Sequence, residues 1–132
     1  MCSCSYLYIE AEARAKTRLG APGYHPSLPP RHRGRDAVRW AIHMYDKITG
    51  SSVYWMDDDA DTGPIAAHEW CWIQPGDKPA ELWPREQAPM GLRLISQVQA
   101  DIDWGDSKST PQLEAMTTWE PAFISKSLST QK

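Results

Sequence analysis

The spacing of apolar residues divides the chain into short helices and strands separated by turns rich in proline, glycine and charge. Over residues 8–19, Tyr8, Ala11, Ala15 and Leu19 share one helical face, and Gly20 is a natural stop. Residues 22–25 read as a brief strand that delivers His25 to a loop. The clearest helix covers 36–45: Val38, Ala41, Ile42 and Tyr45 recur at helical spacing, and Asp36 stands where an N-cap belongs. Residues 51–56 alternate, Val53 and Trp55 against Tyr54 and Met56, as a strand does, and 65–73 read as an aromatic-rich strand. Residues 79–103 read as helical, interrupted early by Pro84 and Pro89, with Leu94, Ile95, Val98 and Ile102 on one face beyond them. Residues 106–118 read as loop, 119–123 as a small apolar anchor, and 124–132 as a polar, flexible tail on a domain spanning 1–123. Interleaved helices and strands predict an α/β fold, with few strands for a sheet covered on both faces.

Composition narrows the class. The length allows one domain or part of one, and the hydrophobic and charged fractions, 41% and 23%, are those of a globular protein. Seven tryptophans imply broad burial or a surface that expects a partner. A net charge of −3 argues against a dedicated nucleic-acid binder. The charge is uneven: residues 1–50 hold eight Lys/Arg against four Asp/Glu, and residues 51–132 hold six against thirteen. A basic front is compatible with an anionic substrate and equally with a solvated surface. Cys2, Cys4 and Cys71 make no disulfide framework, and Cys2-x-Cys4 lacks a second pair to complete a metal site. No apolar run approaches the ~20 residues that span a bilayer. Glu10, Glu12, Arg14 and Lys16 interrupt any signal-peptide pattern, so a cytoplasmic, reducing compartment is expected.

Two stretches carry the candidate chemistry. Residues 23–35 put His25 at the mouth of a loop stiffened by Pro26, Pro29 and Pro30, followed by Arg31, His32, Arg33 and Arg35. The helix that begins after Arg35 turns its N-terminal dipole toward this loop, where anions are favoured. Residues 56–65 form an acidic loop containing Asp61. Histidine titrates near neutrality and a carboxylate favours its charged form, so His25 and Asp61 in contact would make an acid/base pair. The plainer alternative is a solvated loop histidine and a turn aspartate. A calcium loop does not fit Asp57, Asp59 and Asp61, because its sixth and twelfth places hold Thr62 and His68 rather than Gly and Glu. His43 reads as exposed on its helix, and His68 as packing in its strand.

Together the two stretches resemble the catalytic half of the folate-dependent formyltransferases, the methionyl-tRNA formyltransferases among them. The resemblance rests on His25-Pro26-Ser27-Leu28, Arg31-His32-Arg33-Gly34, Val38-Arg39-Trp40-Ala41-Ile42, Asp46 with Thr49-Gly50, and Met56-Asp57 with Asp61-Thr62-Gly63-Pro64-Ile65. It runs from about residue 18 to residue 103, with a weaker echo at Trp119-Glu120-Pro121. It implies a partial, Rossmann-like formyltransferase fold whose N-terminal half is missing. It also implies attack by an amine on the formyl carbon of 10-formyltetrahydrofolate, without a metal. His25 would assist proton transfer and steady the tetrahedral intermediate, and Asp61 would orient it. Met56, Asp57, Asp58, Asp59 and Ala60 would line the pteridine pocket, largely through backbone groups. Arg31, Arg33 and Arg35 would meet an anionic acceptor, a methionyl-tRNA being slightly favoured.

Three departures qualify this. Gly23 stands where the family carries asparagine, so a backbone N–H, Tyr24 or another residue would have to replace that donor. Loss of one such donor costs about 10²–10³ in rate. Pro29-Pro30 replaces Leu-Pro, and the absent half would leave sheet edges that a second copy or a partner chain completes. The competing functions are therefore hydrolysis of formyltetrahydrofolate, with water as acceptor, and an inactive remnant that binds folate or serves as an interaction module.

Overall fold

The computed structural model describes residues 20–123 together with Glu12 and Lys16. The helix expected over 8–19 and the tail 124–132 lie outside the described residues. The described chain forms β1 (Pro22–His25), α1 (Ala37–His43), β2 (Ile48–Trp55), β3 (Ile65–Trp72), α2 (Pro79–Leu82) and α3 (Ala88–Asp103). It is a small α/β domain. The three strands pair in chain order and are antiparallel throughout.

Alternation along the strands creates two unlike faces. Tyr24, Val53 and Cys71 turn toward the helices and join Leu82, Met90, Leu94 and Val98 in the core, with Trp55, Ile95 and Ile102 packed against it. The expected face of α3 is thus the buried one. The opposite face carries Gly23 and His25 of β1 against Tyr54 and Ser52 of β2. The 26–35 loop folds over this second face, which positions the site.

Several expectations are corrected. Pro84 does not break the helical region: it lies in a π-helical turn, Trp83–Gln87, that joins α2 to α3. Pro89 falls in the first turn of α3, where a missing N–H costs nothing. Asp36 does not cap α1 with its side chain. Its backbone is left-handed, at φ 57°, and its carboxylate accepts the Phe123 N–H instead. The helix ends at His43, so Tyr45 leaves the apolar face and is 85% exposed. His68 is exposed rather than packed. Trp70, Trp72, Trp104 and Trp119 are also exposed, so tryptophan burial is partial. The expected anchor is Phe123, edge-on against Trp40 with centroids 4.9 Å apart, while the Trp40 Nε1–H donates to the Pro121 carbonyl.

Candidate active site

His25 ends β1 and is 6% exposed. Its Nε2 lies 2.7 Å from the His32 carbonyl, which can only accept, so Nε2 carries a proton. Nδ1 is then the nitrogen left to exchange one. It faces Oδ1 of Asp61 at 3.6 Å, an ion-pair contact slightly longer than a hydrogen bond. The structure therefore brings together the histidine and aspartate proposed from sequence.

Asp61 reaches this position because the 56–64 loop folds tightly. The residue is left-handed, at φ 59°. At Gly63 a Cβ would lie 1.5 Å from the Trp55 carbonyl oxygen, so only glycine lets the loop return so close to β2. The Asp61 carboxylate is held at both ends. Oδ2 accepts the Gly34 N–H at 2.8 Å, and Oδ1 accepts the Tyr54 hydroxyl at 3.0 Å. The Gln112 amide donates to the Asp61 and Gly63 carbonyls and ties the C-terminal segment to the same loop.

The histidine loop is pinned from below. Ser27 Oγ donates to the Arg31 carbonyl, Ser52 Oγ to the Ser27 carbonyl, and Gln87 Nε2 to those of Pro26 and Gly50. His32 is buried between two carboxylates: Nε2 is 2.6 Å from Asp46 and Nδ1 is 3.0 Å from Glu120. Both nitrogens must donate for both contacts to be made. Burial pushes the Asp46 carboxyl up, but hydrogen bonds from Arg31 and then His32 outweigh this and hold it below its ordinary value.

The basic loop is less open than its sequence implies. Arg31 makes a bidentate pair with Asp46, at 2.7 and 3.1 Å. Arg33 is only 4% exposed and bonds to Glu114 and Gln112, and the hydrogen bond from Arg33 holds the Glu114 carboxyl below its usual range. Arg35 is exposed. Arg31 and Arg33 are thus paired with carboxylates of the same chain. In the acidic loop Met56 is half-buried and Asp57, Asp58, Asp59 and Ala60 are exposed. Asp57 Oδ1 accepts the Asp59 N–H and the Thr62 hydroxyl, so this side chain is folded into its own loop. Among the described residues no three His, Cys, Asp or Glu side chains gather as metal ligands do.

Tyr24 does not fill the place left at Gly23. Its hydroxyl lies on the core face, 2.8 Å from Ser51 Oγ. The Tyr54 ring fills that place instead: a Cβ on Gly23 would sit 3.1 Å from Tyr54 Cζ. Tyr54, Gly34, His32, Gln112 and Glu120 were not legible as site residues. Tyr54 reads as half of an alternating strand, and the other four owe their roles to partners far along the chain.

The sequence matches the family model for formyl transferase over residues 6–98. It is 42% identical over 113 residues to the mitochondrial 10-formyltetrahydrofolate dehydrogenase of Mus musculus, an alignment covering 86% of this chain and 12% of that protein. It is 34% identical over 117 residues to the methionyl-tRNA formyltransferase of Methylacidiphilum infernorum (isolate V4), covering 88% and 36%. The chain therefore spans about an eighth of the first relative and about a third of the second. Among solved structures, HypX from Aquifex aeolicus in complex with tetrahydrofolic acid superposes with a TM-score of 0.72 at 23% identity, over 80% of this chain and 18% of that one. The N-formyltransferase of Helicobacter canadensis gives 0.71 at 18%, over 75% and 36%. These likenesses establish the fold.

Proposed function

The chain belongs to the formyl transferase family, and from that membership we propose that it carries the formyl-handling part of a folate-dependent site, passing the formyl group of 10-formyltetrahydrofolate to a nucleophile. The observation that carries this reading is the His25–Asp61 pair, a buried histidine at the end of β1 facing a part-buried aspartate 36 residues further along the chain.

The residues present fit such a donor. The exposed loop 57–60 runs directly into Asp61, and its Asp57 side chain is turned inward, which leaves main-chain groups to meet a flat heterocycle. A bound donor would supply an electrophilic formyl carbon. The rest falls to this chain. With Nε2 fixed on the His32 carbonyl, Nδ1 and the Asp61 carboxylate accept the proton that the attacking nucleophile loses. The resulting imidazolium steadies negative charge on the formyl oxygen and returns a proton to the departing nitrogen. A small rotation closes the 3.6 Å gap to a hydrogen bond, as catalytic contacts do when substrate binds.

Two observations favour water as the acceptor over an amine. Arg31 and Arg33 are engaged by Asp46 and Glu114, which weakens the case for an anionic acceptor such as a methionyl-tRNA. The relative at 42% identity is a 10-formyltetrahydrofolate dehydrogenase. The test incubates the chain with 10-formyltetrahydrofolate and measures formate and tetrahydrofolate, with and without methionyl-tRNA. Formate release without acceptor, lost in His25→Ala and in Asp61→Asn by about 10²-fold or more, supports hydrolysis. Product only with the tRNA restores transfer to an amine. Wild type equal to the buffer blank leaves the remnant reading.

A further inference from the structure

Tyr54 has no part in the chemistry above, yet its hydroxyl bonds to the same Asp61 oxygen that faces Nδ1 of His25. We propose that Tyr54 is a positioning residue that holds Asp61 against His25, and that Gly23 is the residue that makes room for it.

Three observations carry this. First, Asp61 follows four exposed residues and has a left-handed backbone, so its loop alone does not aim the carboxylate. One donor on each oxygen does: the Gly34 N–H on Oδ2 and the Tyr54 hydroxyl on Oδ1. Second, the β2–β3 pairing shifts register between Val53 and Tyr54. Such a bulge re-aims a side chain, and here the side chain is the 8%-exposed phenol. Third, Tyr54 lies opposite Gly23 in the β1–β2 register, and a Cβ on Gly23 would come within 3.1 Å of Tyr54 Cζ and 3.2 Å of Tyr54 Cε1 and Met56 Cγ. Any larger residue at 23 pushes against the ring. The groups that meet Asp61 are thus His25 from β1, Tyr54 from β2, Gly34 from the loop before α1, and Gln112 at its carbonyl.

The primary test does not depend on the reaction. The Asp61 carboxyl carbon is followed by NMR in protein labelled with ¹³C-aspartate, with the signal assigned by its loss in Asp61→Asn. Tyr54→Phe keeps the ring and removes the donor on Oδ1, so the Asp61 carboxyl resonance at neutral pH should move away from its wild-type position. Tyr45→Phe, at an exposed site, should leave it unmoved. Gly23→Ala should move it likewise and add nothing on top of Tyr54→Phe. A carboxyl resonance in Tyr54→Phe at its wild-type position, or a Gly23→Ala displacement that adds in full, overturns the proposal. The kinetic arm rests on the formyl reading above: kcat should fall about tenfold in Tyr54→Phe with KM for 10-formyltetrahydrofolate unchanged. If wild type releases no formate, that reading fails, and the carboxyl resonance still decides the role of Tyr54.

Discussion

Asp46 gathers hydrogen bonds from Arg31 and His32 behind the histidine loop, and the carbonyl of that same His32 fixes the tautomer of His25. Its carboxyl is held below the ordinary value, so the unfolded chain binds its proton more readily than the folded one. The stabilisation is therefore complete above about pH 4, the unfolded value, and is lost as pH falls through the folded one. Asp46→Asn should destabilise the fold by about 1.5–3 kcal/mol at pH 7, the range of a charge-assisted hydrogen bond. The deficit should shrink as pH drops below ~4. Denaturant titrations of both proteins across pH check this, and a deficit that stays constant or grows in acid would contradict it. At this scale the sequence named His25 and Asp61 because their side chains suit proton transfer and their loops resemble the family's motifs. It did not name His32, whose role depends on Asp46 and on Glu120, 88 residues away.

The β2–β3 hairpin and α3 show how little room the elements leave. At Gly50 a Cβ would sit 2.2 Å from the Glu69 carbonyl oxygen and 2.7 Å from Leu28 Cδ2. Gly50→Ala must therefore move either the strand pairing or the loop over it, and should lower the melting temperature while weakening the His25 site. Leu94 is buried at 2% exposure in the α3 face that meets the sheet. Leu94→Ala should cost about 2–5 kcal/mol in chemical denaturation through the cavity left behind. Exposed Leu92, on the same helix, should tolerate alanine with little loss. The α3 face was legible from its period, because helical spacing and burial are one constraint. The π-helical turn at Trp83–Gln87 was not: proline forbids a regular hydrogen bond but does not say which irregular turn replaces it.

At the level of the whole domain, residues 110–120 close the site as a strap. Arg33 bonds to Gln112 and Glu114, the His32 N–H donates to the Thr118 hydroxyl and its ring Nδ1 meets Glu120, and Thr110 exchanges backbone hydrogen bonds with Ile65. Arg33→Ala removes the central tie. It should speed amide hydrogen exchange at Thr110 and Thr118 more than in the β2–β3 ladder, and equal protection in both variants would show that the strap does not depend on Arg33. The sequence by itself determined the α/β character, the strands, the buried stripe of α3, the family and the two residues suited to proton transfer. The elements are written in local periodicity, the proton-transfer residues in side-chain chemistry, and the family in the resemblance of the two motif stretches. Only the tertiary structure decided that Arg31 and Arg33 are neutralised from within, that Tyr54 stands beside Gly23, and that a distant strap completes the site. Those facts depend on contacts between positions up to 88 residues apart, and no local pattern encodes such a pairing.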